Sequence, residues 1–190
     1  MAATKLTASG ASDGYAALAG DDGSLEIWVG PNGAKILAAT FSAAGKLSLP
    51  VQSMVRLNTA NGYGSTNTAI RRFTTAVTSQ GTDITYVDSA TLGASFTINA
   101  AGVYSISYSD QFNTASSLGI TLNTISPSTG VTGVAAAQIL AAATSAGPNY
   151  GINCSWTGFL PAGSVVRAHA SITPSGSNTV LEQFTITRVA

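Results

Sequence analysis

Few residues in this chain can do chemistry, and their spacing limits what each could do. Gly10-Ala11-Ser12-Asp13-Gly14 has the Gly-x-Ser-x-Gly spacing of a nucleophile elbow, in which a strained strand-to-helix turn presents a serine to a positioned histidine. Residues 1–9 carry no strand pattern and the sole histidine is His169, so the segment reads as a Gly/Ser turn. His169 lies in the strand-like run Val165 to Ala170. A single imidazole without clustered carboxylates does not make a metal site, and its expected role is structural or at an interface. Cys154 is the one cysteine, so no disulfide can form within the chain, and it reads as a buried thiol. Glu26 and Glu182 are the only glutamates, a poor basis for a glycosidase pair. Asp83, Asp88 and Asp110 match no calcium-loop spacing. The expectation is therefore no catalytic residue, no cofactor and no metal ligand. Two features suit recognition instead. Arg71-Arg72 is the one basic doublet, suited to a solvated strand end or an inter-subunit pair, or to contact with a phosphate or sugar acid. Tyr63, between Gly62 and Gly64, is the aromatic with least shielding from its neighbours. Tyr63, Arg71 and Arg72 are the candidate receptor contacts.

The elements that must carry these residues are strands. Only 8% of the 190 positions are charged, 45% are hydrophobic, and mean hydropathy is +0.28, which excludes a disordered chain. Lys+Arg 8 balances Asp+Glu 8, so no charge surplus exists to bind nucleic acid or an anionic membrane. Solubility falls instead to 23 serines, 24 threonines and 20 glycines, a composition suited to β-structure. The most apolar stretch, Val134 to Ala143, is too short to span a bilayer, and the opening MAATKLTASGASDG lacks the apolar core of a secretory signal. All three lysines precede residue 50 and all five arginines follow it, which marks a junction near Pro50. Residues 1–50 form an N-terminal part with β-hairpins, and residues 51–190 a larger head.

In the N-terminal part, Leu25 to Val29 alternates with period two and is followed by the turn Gly30-Pro31-Asn32-Gly33. A second turn, Ser42-Ala43-Ala44-Gly45, leads to a third short strand, giving a three-stranded meander. The first 20 residues have weak structure of their own, either disordered or laid along another protein. In the head, turn signals recur at Asn61-Gly62, Gly81, Gly93, Ala101-Gly102 and Pro161-Ala162-Gly163, the spacing of an all-β sandwich. Val103 to Tyr108 and Phe184 to Val189 alternate cleanly, and Ala135 to Ala143 reads as an Ala-faced strand. The 56 residues from Gln111 to Val166 carry no charge, which points to a subunit interface.

The segment Phe96 to Tyr108 resembles the signature of C1q/TNF-like domains, a Phe followed after five residues by Gly-x-Tyr-x-Phe-x-aromatic. Phe96, Gly102, Tyr104 and Tyr108 match, and Ile106 replaces Phe. Leu160 to Val166 is similar to the family's Leu-x-x-Gly-Asp-x-Val with Ser164 for Asp, and Phe184 to Val189 looks like its closing strand. Upstream, Thr78, Ile84 and Ser89 depart from the pattern. The resemblance covers about residues 70–190. It implies a trimeric jelly-roll sandwich in which Gly102 permits a tight turn, while Tyr104, Ile106, Tyr108 and Phe184 face the core or a neighbouring subunit. Some relatives hold calcium on the three-fold axis, a role the resemblance would give to an aspartate. The hairpins before a Ser/Thr/Ala-rich head resemble bacteriophage fibre and virion-surface proteins. The implied protein is a non-enzymatic virion component assembled in the bacterial cytoplasm: a homotrimeric short fibre or spike, anchored to other virion proteins through residues 1–50, whose head meets a host glycan. The alternatives are a capsid decoration (head fibre or cement) protein and a surface-polysaccharide depolymerase.

Overall fold

The computed structural model describes residues 6–7, 16–19, 22–30, 36–48, 52–112, 114–123, 130–145, 150–170 and 181–189. The chain divides into two compact units, Met1–Val51 and Gln52–Ala190.

The first unit is one antiparallel sheet of five strands in sequential order: β1 (Leu6–Thr7), β2 (Ala16–Ala19), β3 (Leu25–Val29), β4 (Ile36–Phe41) and β5 (Leu47–Ser48). The expectation of weak structure before residue 20 is corrected here. β2 pairs with β3 from Ala16↔Trp28 to Ala19↔Leu25, and β1 pairs with β2. Ladder bonds come from the backbone, so four small residues without alternation can pair with β3, whose own pattern is strong. The β4–β5 turn is closed by Gly45 N–H donating to Ser42 O at 2.8 Å, with Gly45 at φ 75°. Pro31 to Gly33 and Pro50 lie outside the described residues.

The second unit is a sandwich of two five-stranded antiparallel sheets. Its strands are β6 (Met54–Tyr63), β7 (Arg71–Gln80), β8 (Ile84–Ser89), β9 (Gly93–Ile98), β10 (Gly102–Phe112), β11 (Ser116–Leu122), β12 (Ile139–Ser145), β13 (Tyr150–Leu160), β14 (Val165–Ala170) and β15 (Gln183–Arg188). One sheet runs β13-β10-β15-β6-β7 and the other β12-β11-β14-β9-β8. The expected Ala-faced strand starts later than the sequence suggests: Ala136–Gln138 forms a 3-10 turn and β12 begins at Ile139.

Period-two alternation sets which side chains meet between the sheets. On β10, Tyr104, Ile106, Tyr108 and Phe112 are buried, and on β15, Phe184 and Ile186 lie beside them. The facing sheet contributes Phe96, Ile98, Leu118, Ile120 and Val166. Phe184 stacks on Phe96 across the sandwich, ring centroids 4.2 Å apart, and Phe73 meets Tyr108 edge-on at 6.3 Å. Each such buried aromatic contributes about 2 to 3 kcal/mol through lost water contact, so this cluster fixes how the sheets register.

The segment before β7 is held by close backbone approach. Ile70 bridges to His169, and Ala170 N–H donates to Ala69 O at 2.9 Å. Gly93, at φ 79°, is the residue that permits this, because a Cβ there would lie 2.4 Å from Ile70 Cγ2.

Candidate functional site

The motif residues Phe96, Tyr104, Ile106, Tyr108 and Phe184 all point into the sandwich and are buried there. The two sequence-level alternatives, core or neighbouring subunit, are thus separated in favour of the core. Gly102 opens β10, but positive φ falls on other glycines, among them Gly81, Gly93 and Gly163, so the preceding turn does not depend on a left-handed Gly102.

Arg71 is not a surface contact. Its side chain is 1% exposed and lies at one end of the sandwich interior between two fully buried carboxylates. Nε donates to Asp110 Oδ2 at 2.8 Å and Nη2 to Asp110 Oδ1 at 3.2 Å, and Nη2 also stands 3.2 Å from Glu182 Oε1. Nη1 reaches Gly62 O at 3.4 Å. The Tyr108 hydroxyl donates to Asp110 Oδ2 at 2.8 Å. Burial, the largest single influence, would lower the Arg71 pKa, but the Asp110 charge and hydrogen bond together with the Tyr108 and Tyr63 phenols outweigh it and the value is raised, so the guanidinium stays charged. Burial, then the Asp110 charge, pushes the Tyr108 phenol well above its ordinary value.

Tyr63 does not stand free between its glycines either. A register shift between Ala60 and Tyr63 sets Tyr63 opposite Arg71, and its half-buried ring lies 5.5 Å from the guanidinium carbon. Its pKa is raised, chiefly by burial. Arg72, next in sequence but on the other face of β7, makes a bidentate pair with Asp88 at 2.8 and 2.9 Å. That pair is partly solvated and contributes about 1 kcal/mol or less.

The sequence reading missed the cluster of Arg71, Asp110 and Glu182, although a signal existed. Each continues an apolar alternation by one step of two: Arg71 with Phe73, Asp110 with Tyr108, and Glu182 with Phe184. On a strand, that spacing places the charge on the core face.

The other singled-out residues are placed as follows. Asp83 pairs with Arg188 Nη1 at 3.0 Å, so each of the three aspartates is engaged by an arginine, and among the described residues no three or more His, Cys, Asp or Glu side chains cluster as a metal site would require. Cys154 on β13 is buried, and burial pushes its thiol up to about 11. His169 is fully buried on β14. Trp28 Nε1 donates to Glu26 at 3.0 Å. Gly10 to Gly14 lies outside the described residues.

The free face of the β13-β10-β15 sheet is a broad neutral surface of this unit. Ser105 pairs with Thr157 and Thr187, Ser107 with Ser155 and Thr185, and Ser109 with Asn153 and Gln183. Beside them Phe159, opposite Val103, is 64% exposed.

Strand order, two-sheet packing and the β10 motif define an all-β, TNF-like jelly-roll sandwich. Two solved structures carry the comparison. The crystal structure of murine APRIL at pH 8.5 aligns with a TM-score of 0.53 at 9% identity, covering 73% of this chain and 99% of that one. The crystal structure of murine APRIL at pH 5.0 aligns with a TM-score of 0.52 at 10% identity and the same coverage. At such identities the likeness is one of fold. No protein-family model matches the sequence, and no curated protein matches it.

Proposed function

We propose that the protein is a non-enzymatic structural component of a bacteriophage virion, a homotrimer with an N-terminal anchor and a C-terminal recognition head. The observation that carries the trimer is the hydroxyl-rich free face of the β13-β10-β15 sheet with Phe159 exposed on it. Neutral hydroxyls cost little to desolvate when they pair across an interface, and a projecting phenyl ring supplies an apolar anchor. The anchor role rests on the first unit. Leu25, Phe41 and Leu47 lie directly opposite one another on β3, β4 and β5 and are all exposed, an apolar row that suits a partner protein. The recognition role rests on the resemblance to virion-surface proteins and on the neutral, hydroxyl-rich head.

The test is adsorption. Purified full-length protein should block attachment of the phage that carries it, with little salt dependence, since no cationic surplus exists to release counterions. Normal adsorption by particles lacking the protein would refute the recognition role. It would favour capsid decoration, a reading supported by the small size of the first unit, Met1–Val51.

A further inference from the structure

Among the described residues of the head, Arg167 is a buried arginine without a counter-charge. Residues 52–190 contain four acids, Asp83, Asp88, Asp110 and Glu182. All four are committed to Arg188, Arg72 and Arg71. Arg167 is 6% exposed and has a hydrogen bond from Nη1 to Ala94 O at 3.2 Å, while its buried Nε has no partner among the described residues. Arg167 lies on the outer face of β14, because Val166, Ala168 and Ala170 take the core face. Directly across on β11 stands Thr121, fully buried, its Oγ1 likewise without a partner among the described residues. The sheet face is covered here rather than open: Val131, in the β11–β12 connection, packs over Gly119, two residues from Thr121.

We propose that Arg167 and Thr121 form an oxyanion site that takes a carboxylate. Two polar groups without partners, one of them cationic, stand at directly paired positions on one sheet face, and each costs free energy while unpaired. The same protein shows what fits the unpaired edge of the guanidinium. Arg71 and Arg72 each present Nε and Nη2 together to one aspartate, with distances of 2.8 to 3.2 Å. In Arg167 the Nε side of that fork faces none of the head's own carboxylates, so a ligand carboxylate of the same size supplies the missing half. Thr121 Oγ1–H donates to its second oxygen. Burial lowers the Arg167 pKa, as expected for a cation lacking its anion. The occupant is either a free small acid or the carboxylate of an acidic sugar.

The experiment titrates the full-length protein with sodium acetate, sodium glucuronate or sodium phosphate against sodium chloride at matched ionic strength. The readouts are the Nε–Hε resonance of Arg167 by NMR and the thermal midpoint. A saturable shift of that resonance and a rise in midpoint with acetate, absent with chloride, are expected. Glucuronate matching acetate identifies a sugar-borne carboxylate, acetate alone a free acid, and phosphate binding more tightly than both would overturn the carboxylate assignment. Thr121→Val should weaken binding about tenfold. Arg167→Met should abolish the anion response and raise the midpoint in chloride, because a buried unpaired charge is removed. An Arg167 resonance unmoved by any of the anions overturns the site, and so does an undiminished response in Arg167→Met. The wild-type NMR measurement decides even if that variant does not fold.

Discussion

Replacing Arg71 by Met tests how the polar end of the sandwich is held. The substitution keeps most of the stem volume but leaves Asp110 and Glu182, both fully buried, without the arginine that faces them. It also removes both hydrogen bonds from the guanidinium to Asp110, at 2.8 and 3.2 Å. Breaking a buried ion pair from one side costs about 3 to 5 kcal/mol, because the remaining charge keeps its desolvation penalty. At about 2 to 4 °C per kcal/mol for a unit of this size, the midpoint should fall by on the order of 10 °C. The assays are thermal unfolding for the midpoint and urea unfolding for the free energy, both at pH 7 and fixed protein concentration and followed by tryptophan fluorescence, since Trp156 packs against the core. The triple variant Arg71→Met, Asp110→Asn, Glu182→Gln removes all three charges and leaves an amide oxygen at position 110 able to accept from the Tyr108 hydroxyl. It should recover at least half of the single variant's loss. A single-variant loss below about 1 kcal/mol, or a triple variant less stable than the single, would refute the reasoning.

Two further outcomes follow from burial. Cys154, with its thiol pushed up to about 11, should alkylate far more slowly at pH 8.5 than a free thiol, and the rate should rise to the free value only on unfolding; fast alkylation of the folded protein would contradict its placement. Tyr63, Tyr86, Tyr104 and Tyr108 all have raised phenol pKa values. Their stabilisation is complete below pH 10, where unfolded tyrosine is still neutral, and is lost as pH rises toward the folded values, so phenolate absorbance should appear together with unfolding rather than gradually near pH 10.

The jelly-roll sandwich is legible in the sequence because the core writes itself there with period two. Val103 to Tyr108 and Phe184 to Val189 alternate without interruption, and they belong to central strands of one sheet. The polar end is not legible from residue type, because position decides it. Arg71 and Arg72 look alike in sequence, yet they face opposite sides of β7, and only Arg71 shares the face of Phe73. Tyr63 misleads for a related reason: flanking glycines shield nothing, but the shift in register of β6 against β7 brings it over Arg71. β2 escapes a sequence reading because its four residues are small and do not alternate, and it pairs through the backbone alone. Arg167 carries no readable signal, since its lack of a counter-charge depends on where all four acids of the head go.

Assembly through the free face of the β13-β10-β15 sheet is read from molar mass by light scattering at micromolar concentration. The full-length chain should give close to three times 19.0 kDa. Phe159→Asp, which changes a 64% exposed side chain and leaves the core intact, should give a folded chain of about 19.0 kDa. A wild-type protein that is monodisperse at 19.0 kDa, or a Phe159→Asp variant that remains fully trimeric, would contradict the account.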